Sequence, residues 1–507
     1  MAHELQDQHD LARFGYKQEL DRSLGQFSSF AAGFSYISIL TGMFQTFHTG
    51  FSAGGAAFFW SWPAVFVGQL LVALCFAELA AHYPLSGSVY QWSKQIGHPA
   101  VGWLAGWIFL ACLIVTLAAV ALALQVTLPQ IHSCFQFIGD GSNAADKGKN
   151  AVLLGCILIA FSTTINGIGV GLLAKMNNLG VFTELIGVAL LIVLLGAHAV
   201  RGPEVVLITQ GHGDGQCGGY LGPFLLAMTL TASYVLYGYD TAGSLAEETH
   251  DPRRKAPWAI LQALIAAALA GGLLLLTALM AASNINSPLL GQEDGGLPMV
   301  VKQTLGEELG TVFLIAVIVA ITVCTLAVQT GVIRLMFTMA RDNRLPFSRA
   351  LSHVSPLSHT PQIPNLVAGA LAIGILVANI NFRGIVNMVI AVAILWANLA
   401  YLFVTATLLT RRLQGWPPTI ASEEAGLFSL GRWGLLINLL AVLWGIFTVV
   451  KIAWPRPDPD APNWYQTFGP LLFTGGLVVS GGLYYATVQR HKTGVLGEHR
   501  VTGEPGA

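Results

Sequence analysis

The sequence predicts an all-α polytopic membrane protein, and three observations carry that reading. Hydrophobic residues fill 54% of the 507 positions and charged residues only 10%, with a mean hydropathy of +0.64, far from the composition of soluble globular domains. Twelve apolar segments long enough to cross a bilayer lie near 27–47, 56–81, 101–131, 151–172, 178–200, 220–246, 258–282, 310–338, 364–381, 384–410, 431–452 and 467–488. The first and sixth are broken near their middles by polar, glycine-bearing stretches, Ser35-Tyr36-Ile37-Ser38-Ile39-Leu40-Thr41-Gly42-Met43 and Ser233-Tyr234-Val235-Leu236-Tyr237-Gly238-Tyr239-Asp240-Thr241.

The 26 residues before the first span are polar and charged, without the short apolar core and small-residue cleavage site of a signal peptide, so no removable leader is expected. An even number of crossings puts both termini on one side. With an internal amino terminus, seventeen lysines and arginines fall on inward loops and tails, among them Arg253, Arg254, Lys255, Arg341, Arg411 and Arg412. Seven face outward (Lys147, Lys149, Arg201, Lys302, Arg383, Lys451 and Arg456), and Arg334 lies inside a span. The positive-inside rule then places both termini in the cytoplasm of a multi-pass protein of the cell membrane.

The breaks organise the chain. A glycine inside a membrane helix frees backbone donors and acceptors that lipid cannot satisfy, so such a break is expected only where it lines a cavity or binds something. Two breaks at matching positions in two halves point to a transport site. Each set of five spans begins with a broken segment, and because five is odd the second set starts from the opposite face, so the repeat would be inverted. The expected organisation is a cytoplasmic tail at 1–26, a transport core at 27–410 with halves near 27–200 and 220–410, two further helices within 431–488 and a cytoplasmic tail at 489–507. The connection at 283–309 is long enough to carry short helical pieces over an external vestibule.

Several functions are disfavoured. No G-x-x-x-x-G-K-[ST] is present to cradle ATP, so any pumping would draw on an ion gradient. A net charge of −1 without a basic stripe argues against a nucleic-acid partner, and no ring of charges or carbonyl-rich filter repeat suggests a channel. No metal site and no catalytic constellation emerges: the 13 histidines lie in tails, loops or span ends with no pair four apart on one face. Cys75, Cys112, Cys156 and Cys324 fall inside spans as packing residues, whereas Cys134 and Cys217 both face outward, where a disulfide is permitted. Gly50-Phe51-Ser52-Ala53-Gly54 matches G-x-S-x-G, which leaves an intramembrane serine hydrolase using Ser52 as a remote alternative; that motif needs a strained strand-to-helix elbow, and here it falls in an outer turn between helices.

Charges inside spans are costly, about 2.5–3.5 kcal/mol each at the membrane centre on insertion scales. Glu184 is well inside the fifth span with no basic residue beside it in sequence. It reads as an acid that binds a cation or carries a proton, or as a buried carboxylate hydrogen-bonded to unwound backbone. Asp240 follows the second break and suits the start of the freed half-helix as a cap, or a titrating role. Glu78, Glu247, Glu248 and Arg334 fall toward the inner ends of their spans, as an inner gate network would. Tyr234, Tyr237 and Tyr239 could wall a cavity and attract an amine through their ring faces.

Three strings resemble a known family. Glu78-Leu79-Ala80-Ala81-His82-Tyr83-Pro84-Leu85-Ser86-Gly87-Ser88-Val89-Tyr90 is similar to the second-span signature of the amino acid, polyamine and organocation permeases. Gly238-Tyr239-Asp240 through Ala246-Glu247-Glu248-Thr249-His250-Asp251-Pro252-Arg253-Arg254 resembles their sixth-span signature, and Ala340-Arg341-Asp342-Asn343-Arg344-Leu345-Pro346 their loop after the eighth. Within that superfamily the chain most resembles the amino acid/choline branch that includes GABA permeases, over spans one to ten. The resemblance implies a five-plus-five inverted-repeat fold with broken helices 1 and 6. It implies that Ile37, Leu40, Thr41 and Gly42 offer backbone groups to a substrate and that Tyr234, Val235, Leu236, Tyr237 and Gly238 face them, with the aromatic at Tyr234 closing the outer side. Some proton-coupled relatives carry a lysine in the fifth helix in place of a sodium ion; aligning Asn177-Asn178 puts Glu184 there instead. Thr322 and Thr325 could add oxygen ligands, although threonine hydroxyls also bond back to their own helix.

The function expected is therefore a secondary active transporter of amino acids or related small amines such as GABA, working by alternating access. Its expected partners are the solute and membrane lipid, with no obligate protein partner. No cofactor is expected; the coupling ion expected first is a proton, with sodium as the alternative, and a choline or polyamine permease is the alternative substrate class.

Overall fold

The computed structural model describes residues 11–20, 22–215, 218–356, 360–380, 385–417, 426–455, 464–492 and 494–500. Among them every regular element is helical, and extended pairing is limited to two isolated bridges, Tyr16 with Arg500 and Leu24 with Thr249. Among the described residues ten helices are long and apolar enough to cross a membrane, and two shorter apolar ones, Leu221–Val235 and Gln362–Ala378, fall at the expected sixth and ninth spans. The sixth is short because the chain leaves the helix after Val235, as the glycine pattern foretold.

Boundaries differ from the apolar runs where helical hydrogen bonding continues past the hydrophobic stretch. The fourth helix begins at Ala144 rather than near 151, because the Asn143 side chain accepts the Asp146 N–H at 2.8 Å and caps the new end. The fifth, Val170–Ala197, begins directly after Gly169, whose φ of 144° ends the preceding helix. The eighth, Glu307–Arg341, runs for 35 residues with Glu307 and Glu308 at its positive end and Arg341 at its negative end, so the macrodipole favours both.

Packing separates a core from a periphery. Pro99–Ala121 lies against Ile385–Leu413 and against Glu307–Arg341, while Pro252–Ala281 packs on Ser61–His82 and Gln26–Ile37. The most apolar stretch of Pro99–Ile131 is 89% buried, whereas that of Gly469–His491 is only 6% buried and presents its apolar face to the lipid region. The amino- and carboxy-terminal segments meet on one side: Lys17 N–H donates to the His499 carbonyl at 3.1 Å and the His499 ring lies 2.7 Å from a Glu19 carboxylate oxygen. In the expected loop at 283–309, two short helices form, Pro288–Gly291 and Gly296–Leu305.

Cys75, Cys112 and Cys324 are buried, Cys156 is partly so, and Cys134 is an exposed free thiol. Cys217, the other cysteine expected to face outward, lies outside the described residues, as do Arg383 and Arg456. The Ser52 motif is not an outer turn: it forms the last turns of the helix Ile39–Gly54, with the Ser52 hydroxyl donating to the Thr49 carbonyl at 3.0 Å. A straight helical turn supplies no nucleophile elbow.

Candidate transport site between the two helix breaks

The first break is one residue wide. Gln26–Ile37 ends where Ser38 takes φ 35° and ψ 95°, and Ile39–Gly54 begins immediately after it. That kink removes the usual helical acceptors for the next amides, which then need partners inside lipid-dark protein. Glu184 supplies one: its Oε1 accepts the Leu40 N–H at 3.1 Å and the Ser38 hydroxyl at 3.0 Å. Ser38 Oγ in turn lies 2.6 Å from the Thr41 hydroxyl and accepts the Thr41 N–H at 3.4 Å. Glu184 is 2% exposed, so its carboxylate is a buried group held against unwound backbone.

The second break follows a π-helical turn at Met228–Ala232 and a last α-turn at Ser233–Val235. Gly238 turns the chain with φ 92°. Its N–H donates to the Tyr401 hydroxyl at 3.0 Å, and that hydroxyl donates to Asp240 Oδ1. Asp240 Oδ2 accepts the Ser88 hydroxyl at 2.6 Å, and Ser88 Oγ accepts from Ser244 at 2.9 Å. The capping role expected of Asp240 is thus corrected: it occupies the position before the helix Thr241–Ser244 but makes no side-chain cap. Two hydroxyls from other elements outcompete the amides, Ser88 tying the break to the helix Ser88–Ile96 and Tyr401 tying it to Ile385–Leu413.

The two breaks touch. A Cβ on Gly42 would lie 2.6 Å from Val235 Cγ2, and one on Gly238 would lie 1.8 Å from the Tyr36 ring. Between them sits a tight cavity with water-accessible room of only about 10 Å3, lined by Tyr36, Ile37, Thr41, Gly42, Thr116, Val120, Tyr234, Tyr237 and Cys324. Of the residues expected at the site, Ile37, Thr41, Gly42, Tyr234 and Tyr237 therefore line one space. Leu40 contributes its amide to Glu184 instead, Val235 fills the gap against Gly42, Gly238 serves Tyr401, and Leu236 is fully buried with its N–H donating to Ala232. Thr322 and Thr325 stand apart from the cavity, each donating to its own helix, to Ile318 and Ile321 carbonyls at 2.8 Å.

Sequence reasoning passed over Tyr36, Thr116, Gln45 and Tyr401. Tyr36 was inside the broken string itself; the others carry no local signal. The Tyr237 hydroxyl lies 2.9 Å from that of Thr116, and Tyr234 donates to Gln45 at 3.1 Å, so both tyrosines are anchored. The Tyr36 hydroxyl is buried with no hydrogen bond within 3.5 Å among the described residues, although the Thr116 side chain stands near it. Its ring meets Tyr237 edge-on at 5.8 Å.

On the side of the termini the acids do not share one network. Glu248 pairs with Arg334 Nε and Nη2 at 2.7 and 3.1 Å, Glu247 pairs with Arg341 through two 2.8 Å contacts, and Glu78 pairs with Arg412. Asp342 joins Tyr16, Tyr90 and Lys94 at 2.9, 2.7 and 2.7 Å. Burial alone would raise the Asp342 carboxyl, yet Lys94 and Arg341 outweigh it and hold the group below its ordinary value.

A family model described as amino acid permease matches residues 24–476. The chain belongs to the amino acid permease family. It is a multi-pass membrane permease for small amino acid solutes, not an enzyme, which removes the Ser52 hydrolase reading. This permease is 27% identical over 475 residues to the amino-acid permease BAT1 of Arabidopsis thaliana, covering 89% of this chain and 88% of that protein. It is 23% identical over 511 residues to the GABA-specific permease of Saccharomyces cerevisiae, covering 96% and 85%. The fold is similar to that of a manganese transporter from Eremococcus coleocola, with a TM-score of 0.57 at 14% identity over 92% of this permease and 97% of that chain.

Proposed function

We propose that this permease is a secondary active carrier of a small amine-bearing solute, GABA-like or a neutral amino acid, working by alternating access with the proton as coupling ion. The observation that carries the reading is the cavity between the breaks, where the unpartnered Tyr36 hydroxyl stands beside the rings of Tyr234 and Tyr237. A buried hydroxyl without a strong protein partner is costly, so a ligand able to bond it is favoured there. Ring faces suit an ammonium, and half-helix ends suit both an ammonium and a carboxylate. The space is too tight for free passage, as a carrier closed around its site requires.

Proton coupling is favoured by Glu184, because protonating its carboxylate would weaken the hold on Leu40 and Ser38 and so loosen the first break. Sodium is the poorer choice: Thr322 and Thr325 donate to their own helix and bring no charge to the site. With the basic loops inward, both termini are cytoplasmic and the two families of spans form inverted repeats. Uptake of labelled GABA, neutral and cationic amino acids, choline and putrescine into proteoliposomes tests this, with and without an inward pH gradient. Gradient-driven accumulation of an amino solute is expected; accumulation only of choline or putrescine moves the substrate class, and sodium dependence without pH dependence overturns the proton.

A further inference from the structure

A second cavity, with water-accessible room of about 30 Å3 and a partly open mouth, lies on the terminus side of the first, with Ser28, Asn177, Asn178, Glu248, Thr330 and Arg334 among its lining. Ser28 precedes the first break on its own helix, and Glu248 follows the second, so the cavity sits between the terminus-side halves of the two broken segments.

Its polar groups are unevenly satisfied. Arg334 gives Nε and Nη2 to Glu248, while its Nη1 makes no hydrogen bond among the described residues. The side-chain oxygens of Asn177 and Asn178 are buried with no donor, and Asn177 as a whole is 9% exposed. Asn178 uses only its amide nitrogen, in a 3.4 Å contact with Ser28 Oγ. Buried amide oxygens without donors are uncommon and call for a ligand or an ordered water.

The charge pattern selects the class of ligand. A bare metal cation would meet the Arg334 guanidinium, and a plain anion would meet two amide oxygens that repel it. A zwitterion satisfies both sets, with its carboxylate on Arg334 and its ammonium on the asparagine oxygens. We propose that this cavity is a second, terminus-side binding site for the same zwitterionic amino solute, filled in series with the central one. The proposal rests on the carrier reading above. Two sites in series on one side make transport asymmetric: the solute concentration for half-maximal rate on the terminus side depends on Asn177, and that on the other side does not.

Equilibrium binding of radiolabelled GABA and of L-alanine to the purified full chain tests it, together with transport from each side in vesicles sorted by reaction of exposed Cys134 with an impermeant thiol reagent. Wild type is expected to bind two solutes per chain. Asn177→Leu, which fills the cavity, is expected to bind one and to raise the terminus-side KM by at least about tenfold with the opposite KM unchanged. The retained central binding reports a folded chain, and Asn178→Ala, whose side chain has that single contact, provides a second variant. Binding of one solute by wild type, or two by both variants, overturns the second site while leaving the carrier intact. Absence of any binding and transport overturns both.

Discussion

Glu184 accepts the backbone N–H of Leu40 at 3.1 Å across 144 positions of the chain. The fifth apolar helix thereby caps the outer half of the first, where amide donors have no water to turn to and the helix dipole favours a negative group. Glu184→Gln keeps an acceptor oxygen and removes the charge. It is expected to abolish accumulation driven by a pH gradient while solute exchange across proteoliposomes continues; accumulation at the wild-type level would take Glu184 out of the coupling. Glu184→Ala also deletes the cap and is expected to lower stability by about 1 kcal/mol, read as a lower melting temperature in detergent.

Gly42 and Gly238 are required for different reasons. Gly42→Ala places a methyl 2.6 Å from Val235 Cγ2, so it is expected to lose transport and to regain it when combined with Val235→Ala, which opens that space. Gly238→Ala meets the Tyr36 ring at 1.8 Å and also forces φ 92° on a residue with a Cβ. That strain, about 1–3 kcal/mol before the clash is counted, is not relieved at Val235. Uptake and melting of the three variants separate the two causes.

The Arg341–Glu247 pair is fully buried on both sides. Removing one partner strands a charge, so Arg341→Met is expected to destabilise by about 3–5 kcal/mol, and Arg341→Met with Glu247→Leu to recover most of that loss. Thermal unfolding of the single and double variants checks it. Equal melting of single and double variants would mean that the pair is not a unit.

Asp342 and Lys94, 2.7 Å apart, set opposite pH limits on the closure at the terminus side. Burial acts to raise Asp342, but Lys94 and Arg341 hold it below its ordinary 3.8; its contribution is therefore full above that value and is lost as pH falls through the lower, folded one. Burial acts to lower Lys94, but Asp342 and Tyr16 hold it above its ordinary 10.5; its contribution is present below that value and fades as pH rises through the higher, folded one. Melting temperature against pH is expected to drop at both ends, and Asp342→Asn to flatten both limbs.

Much of the site was legible because membrane breaks need glycine and polar residues close together in sequence. Ser38 and Gly238 fall inside the two strings that composition singled out, and Tyr36, Ile37, Thr41, Tyr234 and Tyr237 come with them into one cavity. Asp240 was located but misread: position alone suggests a cap, whereas Ser88 and Tyr401, 152 and 161 positions away, claim its oxygens. The inner acids were located too, but each pairs with a different arginine, because depth along a span says nothing of which neighbours surround it.

Composition and local pattern by themselves determined that this chain crosses a membrane many times and where two of the crossings break. Transfer into lipid is decided segment by segment, from the side chains and backbone of each stretch. Only the tertiary structure decided which groups close those breaks, joining Glu184 to Leu40, Tyr401 to Asp240 and Arg341 to Glu247 across 144, 161 and 94 positions. In a dry interior a freed amide or a buried charge takes whichever partner packing brings within about 3 Å, and that proximity belongs to the folded chain.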